Sequence, residues 1–221
     1  ALGAPRSLTP VTSPTRPPRL IARGRALDLA EPALMGIVNA TPDSFSDTGV
    51  HRTTDERVAL ALDQVAQGAH IIDVGGQSGI TGVPEVPIDE EIARVVPVVA
   101  GLHDAAPDVL ISVDTYRPAV VEAALGAGAA IVNDISGLMH PDVAGLVAAA
   151  GAGLVIMHTR SRPKHKVLDP DLYDDVTADV VGFLRRRIDA AMAQGMEPDG
   201  IVVDPGPDFA KTPAQTVEVL R

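Results

Sequence analysis

The sequence predicts an α/β protein built on a parallel sheet. Three observations predict it: short apolar runs recur along the chain, each ends on a polar or ionisable side chain, and each is followed by a stretch with helical character. The run at 34–38 ends at Asn39, 71–72 at Asp73, 110–113 at Asp114, 131–132 at Asn133 and Asp134, 154–157 at His158, and 201–203 at Asp204. Short, nearly unbroken apolar runs read as strands covered on both faces, and strand–helix alternation implies parallel pairing. Polar groups at the carboxyl ends of such strands meet on one rim, where open α/β sheets and barrels carry out chemistry.

In chain order, residues 1–19 carry Pro5, Pro10, Pro14, Pro17 and Pro18 among Ser, Thr and Arg, and are expected to form a disordered tail. Residues 20–29 are expected to form a hairpin turning at Gly24-Arg25 that plugs one end of the sheet. The strand ending at Asn39 leads into a polar loop at 40–52. A helix at 53–68 then starts from Thr53 or Thr54, with Asp55 and Glu56 in its first turn, where the helix dipole favours negative charge. Further helices are expected at 89–103, at 118–125 with Pro118 well placed in a first turn, at 141–150, at 172–194, and after Thr212. Gly126-Ala127-Gly128 and Gly151-Ala152-Gly153 lie after helices and before strands, so they read as helix C-caps and not as phosphate loops.

The 221 residues suffice for one sizeable domain, and the hydrophobic share of 46% supports a large core. That core must be aliphatic, because the chain has three Phe, two Tyr and no Trp. A net charge of −11 argues against a nucleic-acid polyelectrolyte role, though not against a small anionic substrate. With no Cys there are no disulfides, zinc thiolates or thiol nucleophiles. No apolar stretch reaches membrane-spanning length and no signal-peptide pattern opens the chain, so a cytoplasmic protein is expected. Periodicity alone leaves two architectures open: an open doubly wound sheet of six strands, or part of a closed barrel, which needs eight.

The motifs go further. Gly36-Ile37-Val38-Asn39-Ala40-Thr41-Pro42-Asp43-Ser44-Phe45-Ser46-Asp47-Thr48-Gly49 resembles the signature of the dihydropteroate synthase family. Ile71-Ile72-Asp73-Val74-Gly75-Gly76-Gln77-Ser78, Ile111-Ser112-Val113-Asp114-Thr115-Tyr116, Ile131-Val132-Asn133-Asp134-Ile135-Ser136-Gly137, Met157-His158, and Asp204-Pro205-Gly206 with Phe209 and Lys211 resemble its second to sixth strand motifs, in order. The resemblance covers residues 20–221. It implies a (β/α)8 TIM barrel of the pterin-binding type, here with about six βα units. It also implies a transferase that joins 6-hydroxymethyl-7,8-dihydropterin pyrophosphate to 4-aminobenzoate in folate biosynthesis, releasing pyrophosphate. Mg²⁺ on the leaving group, a homodimer for the full-length family member, and inhibition by sulfonamides are implied as well.

Carried onto this chain, the resemblance makes Asp114, Asn133 and Asp204 the pterin readers, with Met157 against the ring. Carboxylates and an amide suit the alternating donors and acceptors of a pterin edge. Asn39 takes the metal and pyrophosphate position, and Phe45 and Asp47 lie on a mobile loop closing over the reaction. Phe209 and Lys211 fall on the aminobenzoate side. Asp73 is expected to point into the barrel and bond a neighbouring strand end. His158 is expected to be structural, without acid–base work. Two departures stand out. Gln77-Ser78-Gly79-Ile80-Thr81-Gly82 replaces the family's Glu-Ser-Thr-Arg-Pro-Gly, removing a Thr and an Arg, and Pro207 and Asp208 precede Phe209. The seventh and eighth strand motifs are absent, so a partial sequence is expected, poorly soluble or inactive if expressed alone. A catalytically weak or inactive pterin-binding paralogue is the alternative function. The pterin-binding domain of a corrinoid methyltransferase is a third reading, disfavoured by the long 39–45 loop motif.

Overall fold

A small hairpin and a six-stranded sheet organise the chain in the computed structural model, which describes residues 17–41, 53–77, 82 and 84–221. The hairpin pairs β1 (Arg19–Ala22) with β2 (Arg25–Asp28). Its turn residues Arg23 and Gly24 have φ of 49° and 73°, the positive pair whose twist matches that of the flanking strands. The turn therefore falls one residue earlier than expected, with glycine in its second position. The tail expected at 1–19 lies mostly outside the described residues; β1 already begins at Arg19.

The large sheet runs β3 (Met35–Asn39), β4 (Ile71–Gly75), β5 (Leu110–Asp114), β6 (Ile131–Asp134), β7 (Gly153–Met157) and β8 (Ile201–Asp204), all parallel and side by side in chain order. Between and after these strands come α1 (Thr54–Ala66), α2 (Ile88–Ala105), α3 (Pro118–Ala127), α4 (Asp142–Ala149), α5 (Val176–Ala193) and α6 (Pro213–Val219). A doubly wound sheet reverses its strand order at a switch point, and this sheet never does. It is six consecutive units of a (β/α)8 barrel, unclosed, with β3 and β8 as edge strands.

Local chemistry sets the helix ends. Thr53 and Glu56 form a reciprocal capping box for α1, and Thr212 and Gln215 do the same for α6. Gly128, with φ 118°, ends α3 in the left-handed conformation. Helix α5 starts later than the expected 172. The Asp175 carboxylate accepts from the Ala178 amide at 2.8 Å and caps the helix there, while Asp169 folds the preceding stretch into a turn by accepting from the Asp171 amide.

Strand alternation divides the core in two. Val38, Ile72, Val74, Ile111, Val113, Val132, Leu154 and Ile156 face outward and pack under the helices, against residues such as Val95, Val98, Leu102, Val121 and Val147. Ile71, Leu110 and Ile131 face inward at the amino-terminal end, where Leu20 and Ala22 of the hairpin cover them. The hairpin thus closes the barrel floor, as expected, and the opposite mouth is left for polar groups. At the edges apolar side chains meet solvent: Ile37 on β3 is 61% exposed and Val203 on β8 is 44% exposed. Such edges favour association with further chain.

Candidate active site

Pairing register brings the predicted residues to one rim. Asn39 pairs with Gly75, Gly75 with Asp114, and Asp114 with Asn133, so an amide, a gap, a carboxylate and an amide lie along one inward-facing rung at the strand ends. Asn133 pairs with Val155, and two residues on, on the same face, Met157 pairs with Asp204. Asp204 therefore stands one layer nearer the mouth than Asn133. Glycine at 75 keeps the rung open: a Cβ there would sit 3.7 Å from Asp114 Oδ2 and 3.9 Å from Asn39 Oδ1.

Below the rung, Asp73 points inward and its Oδ2 accepts from Asn133 Nδ2 at 3.1 Å. This is the structural bond expected of it, and it fixes which way the Asn133 amide faces. Burial pushes the Asp73 carboxyl above its ordinary range, against hydrogen bonding from Ser112 and Asn133. Asp114 is raised to about 8, by burial first and then by the neighbouring carboxylates Asp73, Glu91 and Asp134, with Lys164 opposing. A carboxyl so placed gains by meeting N–H donors. Asp134, fully buried, is spent locally: its Oδ1 accepts from the Ser136 amide at 2.7 Å and hydroxyl at 2.6 Å.

A cavity of about 450 Å³ opens above Asp114. Thr115, Tyr116, Gln77 and Glu91 line it on one side, residues 161–166 on another, and Phe209 with Asp208 and Ala210 on a third. Of the predicted residues, Asp114 and Phe209 lie on its wall, while Asn39, Asn133 and Asp204 lie on the rim outside that wall. Met157 is buried at 1% exposure, tucked beneath the β8 turn, where a Cβ on Gly206 would lie 3.1 Å from its Cγ. Phe45 and Asp47 lie outside the described residues, as do Gly79 and Ile80.

Sequence reasoning missed the buried ion pair that supports this cavity. Glu91, on α2 and fully buried, accepts from Gln77 Nε2 at 2.8 Å, Thr115 Oγ1 at 2.8 Å and Arg117 Nη1 at 3.0 Å. Arg117 also donates to the Val86 carbonyl at 2.6 Å and pairs with Glu85, which in turn accepts from the Tyr116 hydroxyl. The network ties the β4 loop, the β5 end and α2 together. Its one sequence signal is a Glu in the first turn of an amphipathic helix, which on a surface helix would be a dipole partner.

A second network holds the loop after β8. His158 is fully buried; its Nε2 lies 3.0 Å from Asp179 Oδ2 and its Nδ1 lies 2.8 Å from Lys211 Nζ. Burial, then Lys211 and Arg160, lower its pKa against the pull of Asp179. The neutral imidazole thus donates from Nε2 and accepts at Nδ1, the structural role expected of it. Lys211, expected on the aminobenzoate side, is 1% exposed, and its ammonium donates to the Gly206 carbonyl at 3.0 Å and the Phe209 carbonyl at 3.2 Å. Burial lowers it to about 8. Its work is to hold the Phe209 backbone, which motif matching alone cannot distinguish from ligand contact. Gly206, with φ 65°, accepts no side chain, since a Cβ would collide with the His158 carbonyl oxygen. Gly206→Ala is therefore expected to destabilise the protein by about 2 kcal/mol or more, read as a lowered urea midpoint.

Among the described residues, no group of three or more His, Asp or Glu is arranged as a metal cage. The rim residue that the family resemblance assigns to a metal is Asn39, whose side chain offers one amide oxygen. One neutral ligand suits a Mg²⁺ that keeps waters and phosphate oxygens in its shell, and does not suit a metal held by protein alone.

Comparison with known proteins places this geometry. The family model for pterin binding enzyme matches residues 35–221. The dihydropteroate synthase of Escherichia coli K12 is 39% identical over 202 residues, covering 91% of this chain and 71% of that protein. A probable bifunctional folylpolyglutamate synthase/dihydropteroate synthase of Haloferax volcanii is 44% identical over 188 residues, but the chain spans only 22% of its length. Among solved structures, Xanthomonas albilineans dihydropteroate synthase with 4-aminobenzoic acid superposes with a TM-score of 0.82 at 41% identity, over 93% of this chain and 72% of that one. The Burkholderia cenocepacia enzyme complexed with 7,8-dihydropteroate gives 0.77 at 38% identity, over 89% and 66%. With the register, the rim and these likenesses in agreement, the chain belongs to the dihydropteroate synthase family of pterin-binding transferases.

Proposed function

We propose that the protein containing this chain joins 6-hydroxymethyl-7,8-dihydropterin pyrophosphate to 4-aminobenzoate, giving 7,8-dihydropteroate and pyrophosphate. The observation that carries the reading is the inward rung of Asn39, Asp114 and Asn133, with Asp204 one layer above. Asp114 and Asp204 accept from the pterin's amino and ring N–H groups, and Asn133, oriented by Asp73, meets an adjoining acceptor or donor. Met157 supports the β8 turn under the ring. Phe209 forms an apolar wall for the aryl ring, and Lys211 fixes its backbone. The amine nitrogen attacks the pterin methylene, the C–O bond breaks with its electron pair leaving on pyrophosphate, and the amine proton passes to solvent. Asn39 is the residue that would hold a Mg²⁺ borne by the diphosphate; the ion supplies neutralisation of leaving-group charge. Phe45 and Asp47 act from the loop above. Residues 20–221 form the barrel domain, in a cytoplasmic homodimer. The family likeness supports these last assignments, and no helix among the described residues is long and apolar enough to cross a membrane.

The test is pyrophosphate release from the pterin substrate by the full-length protein. Release that depends on 4-aminobenzoate is expected; pterin binding without release would favour the weak or inactive paralogue. Gly79 and Ile80 in the second loop favour that alternative. Gly79→Thr with Ile80→Arg is expected to raise turnover roughly tenfold or more if loss of that cation limits the rate, and unchanged turnover would remove the second loop as its cause.

Asp114 also makes pterin binding pH-dependent. With a pKa near 8 it is mostly protonated at pH 6 and 7 in the ligand-free protein, whereas accepting from N–H donors needs the carboxylate. Affinity for an uncharged pterin is expected to rise as pH climbs toward 8, by at most about tenfold per unit, and then level off. Titration calorimetry at several pH values reads this directly, and an affinity flat from pH 6 to 8 would contradict it.

A further inference from the structure

The positively charged side chains lining the cavity come from one segment, the loop after β7 that carries Arg162, Lys164 and Lys166. This is notable in a chain of net charge −11. Hydrogen bonds shape the backbone of this segment. The Ser161 amide donates to Thr159 Oγ1 at 3.1 Å. The His165 amide donates to the Arg162 carbonyl at 3.1 Å, closing a turn around Pro163 in which Lys164 adopts φ 67°. The Lys164 carbonyl accepts from the Gly82 amide at 3.0 Å, latching this loop to the one after β4 across the mouth. The half-buried Lys164 ammonium lies within electrostatic reach of Glu85, Asp114 and Glu91. Arg162 and Lys166 are exposed, and among the described residues neither forms an ion pair.

We propose that Arg162, Lys164 and Lys166 clamp the anionic group of a substrate whose ring lies against Asp114 or Phe209. The inference rests on the pterin-transfer reading and adds residues to it. The chemistry is physical. An acidic protein needs local cations to draw an anion in, a guanidinium can grip two oxygens at once, and a loop held at Ser161 and Lys164 presents its charges with little ordering left to do. Lys164, facing the carboxylates, holds the inner end of the row; Arg162 and Lys166 hold the outer end. Two substrate anions share this chemistry, the diphosphate of the pterin and the carboxylate of aminobenzoate.

The test titrates the full-length protein with an uncharged pterin, with inorganic pyrophosphate and with 4-aminobenzoate, comparing it with Arg162→Ala/Lys166→Ala, Lys164→Ala and the charge-conserving Arg162→Lys/Lys166→Arg. Affinity for at least one anion is expected to fall about tenfold or more in the alanine variants and to persist in the charge-conserving one, with pterin affinity changing far less in Arg162→Ala/Lys166→Ala. Loss for pyrophosphate assigns the clamp to the leaving group, loss for 4-aminobenzoate to its carboxylate, and loss for both to a shared wall. Unchanged anion affinity in both alanine variants, or failure of the parent protein to bind either anion while it binds pterin, overturns the inference. Failure of the parent protein to bind pterin overturns the functional reading instead.

Discussion

Asp114→Asn is expected to lower turnover about a hundredfold while making the ligand-free protein more stable at neutral pH. The two effects share one cause. Asp114 sits among Asp73, Glu91 and Asp134, and burial plus those charges lift it to about 8. The folded state therefore holds this proton more tightly than the unfolded chain, where an Asp titrates near its ordinary value of 3.8. Linkage then gives the sign: the destabilisation is absent below about pH 4, grows as pH rises through the interval up to about 8, and is constant above it. An amide of the same shape escapes that cost, so the variant should gain up to about 4 kcal/mol at pH 7 and almost nothing at pH 4. In catalysis the substitution does the reverse. The amide cannot accept from two N–H donors as a carboxylate does, and losing a charge-assisted bond of about 1.5–3 kcal/mol corresponds to roughly tenfold to a hundredfold or more. Urea melts at pH 4 and pH 7 beside steady-state kinetics would show both arms. A variant less stable at pH 7 and still fully active would contradict both.

Glu91→Ala is expected to be the most damaging single change to the fold. It removes the acceptor shared by Gln77, Thr115 and Arg117 and leaves Arg117 with the peripheral Glu85 and the Val86 carbonyl. Breaking a buried pair from one side costs about 3–5 kcal/mol. For a domain of this size that corresponds to a fall in melting temperature on the order of 10 °C. Thermal unfolding followed by circular dichroism checks it; a shift within about 2 °C would mean that Glu91 is not the keystone of the β4–β5 rim. Glu91→Gln keeps acceptance from Thr115 but not the charge opposite Arg117, and should fall between the two.

What the sequence made legible follows the physics of each feature. Six apolar runs ending on polar groups are a repeating, long-range pattern, so the strands and the rim at Asn39, Asp114, Asn133 and Asp204 could be read directly. Strand order could not, since the alternation suits a barrel and a doubly wound sheet alike; the motif resemblance chose the barrel, and pairing in chain order agrees. Capping signals placed α1 and α3 closely. The start of α5 was misread because Asp169, Pro170 and Asp171 make turns that hydropathy cannot see, and Asp175 is the cap that acts. Lys211 shows the limit of a motif: it reports that a residue type is needed, not whether its charge meets substrate or holds the loop that does. Glu91 and Arg117 were invisible for a related reason, since a charged residue on a helix reads as solvated until its partner, 26 positions away, is seen beside it.

A crystal structure of the full-length protein soaked with an uncharged pterin tests the central claim most directly. The ring should lie on the rim with its amino and ring N–H groups toward Asp114 and Asp204 and with the Asn133 amide in its plane. A pterin bound elsewhere, or one on this rim that makes no contact with these three side chains, would contradict the account.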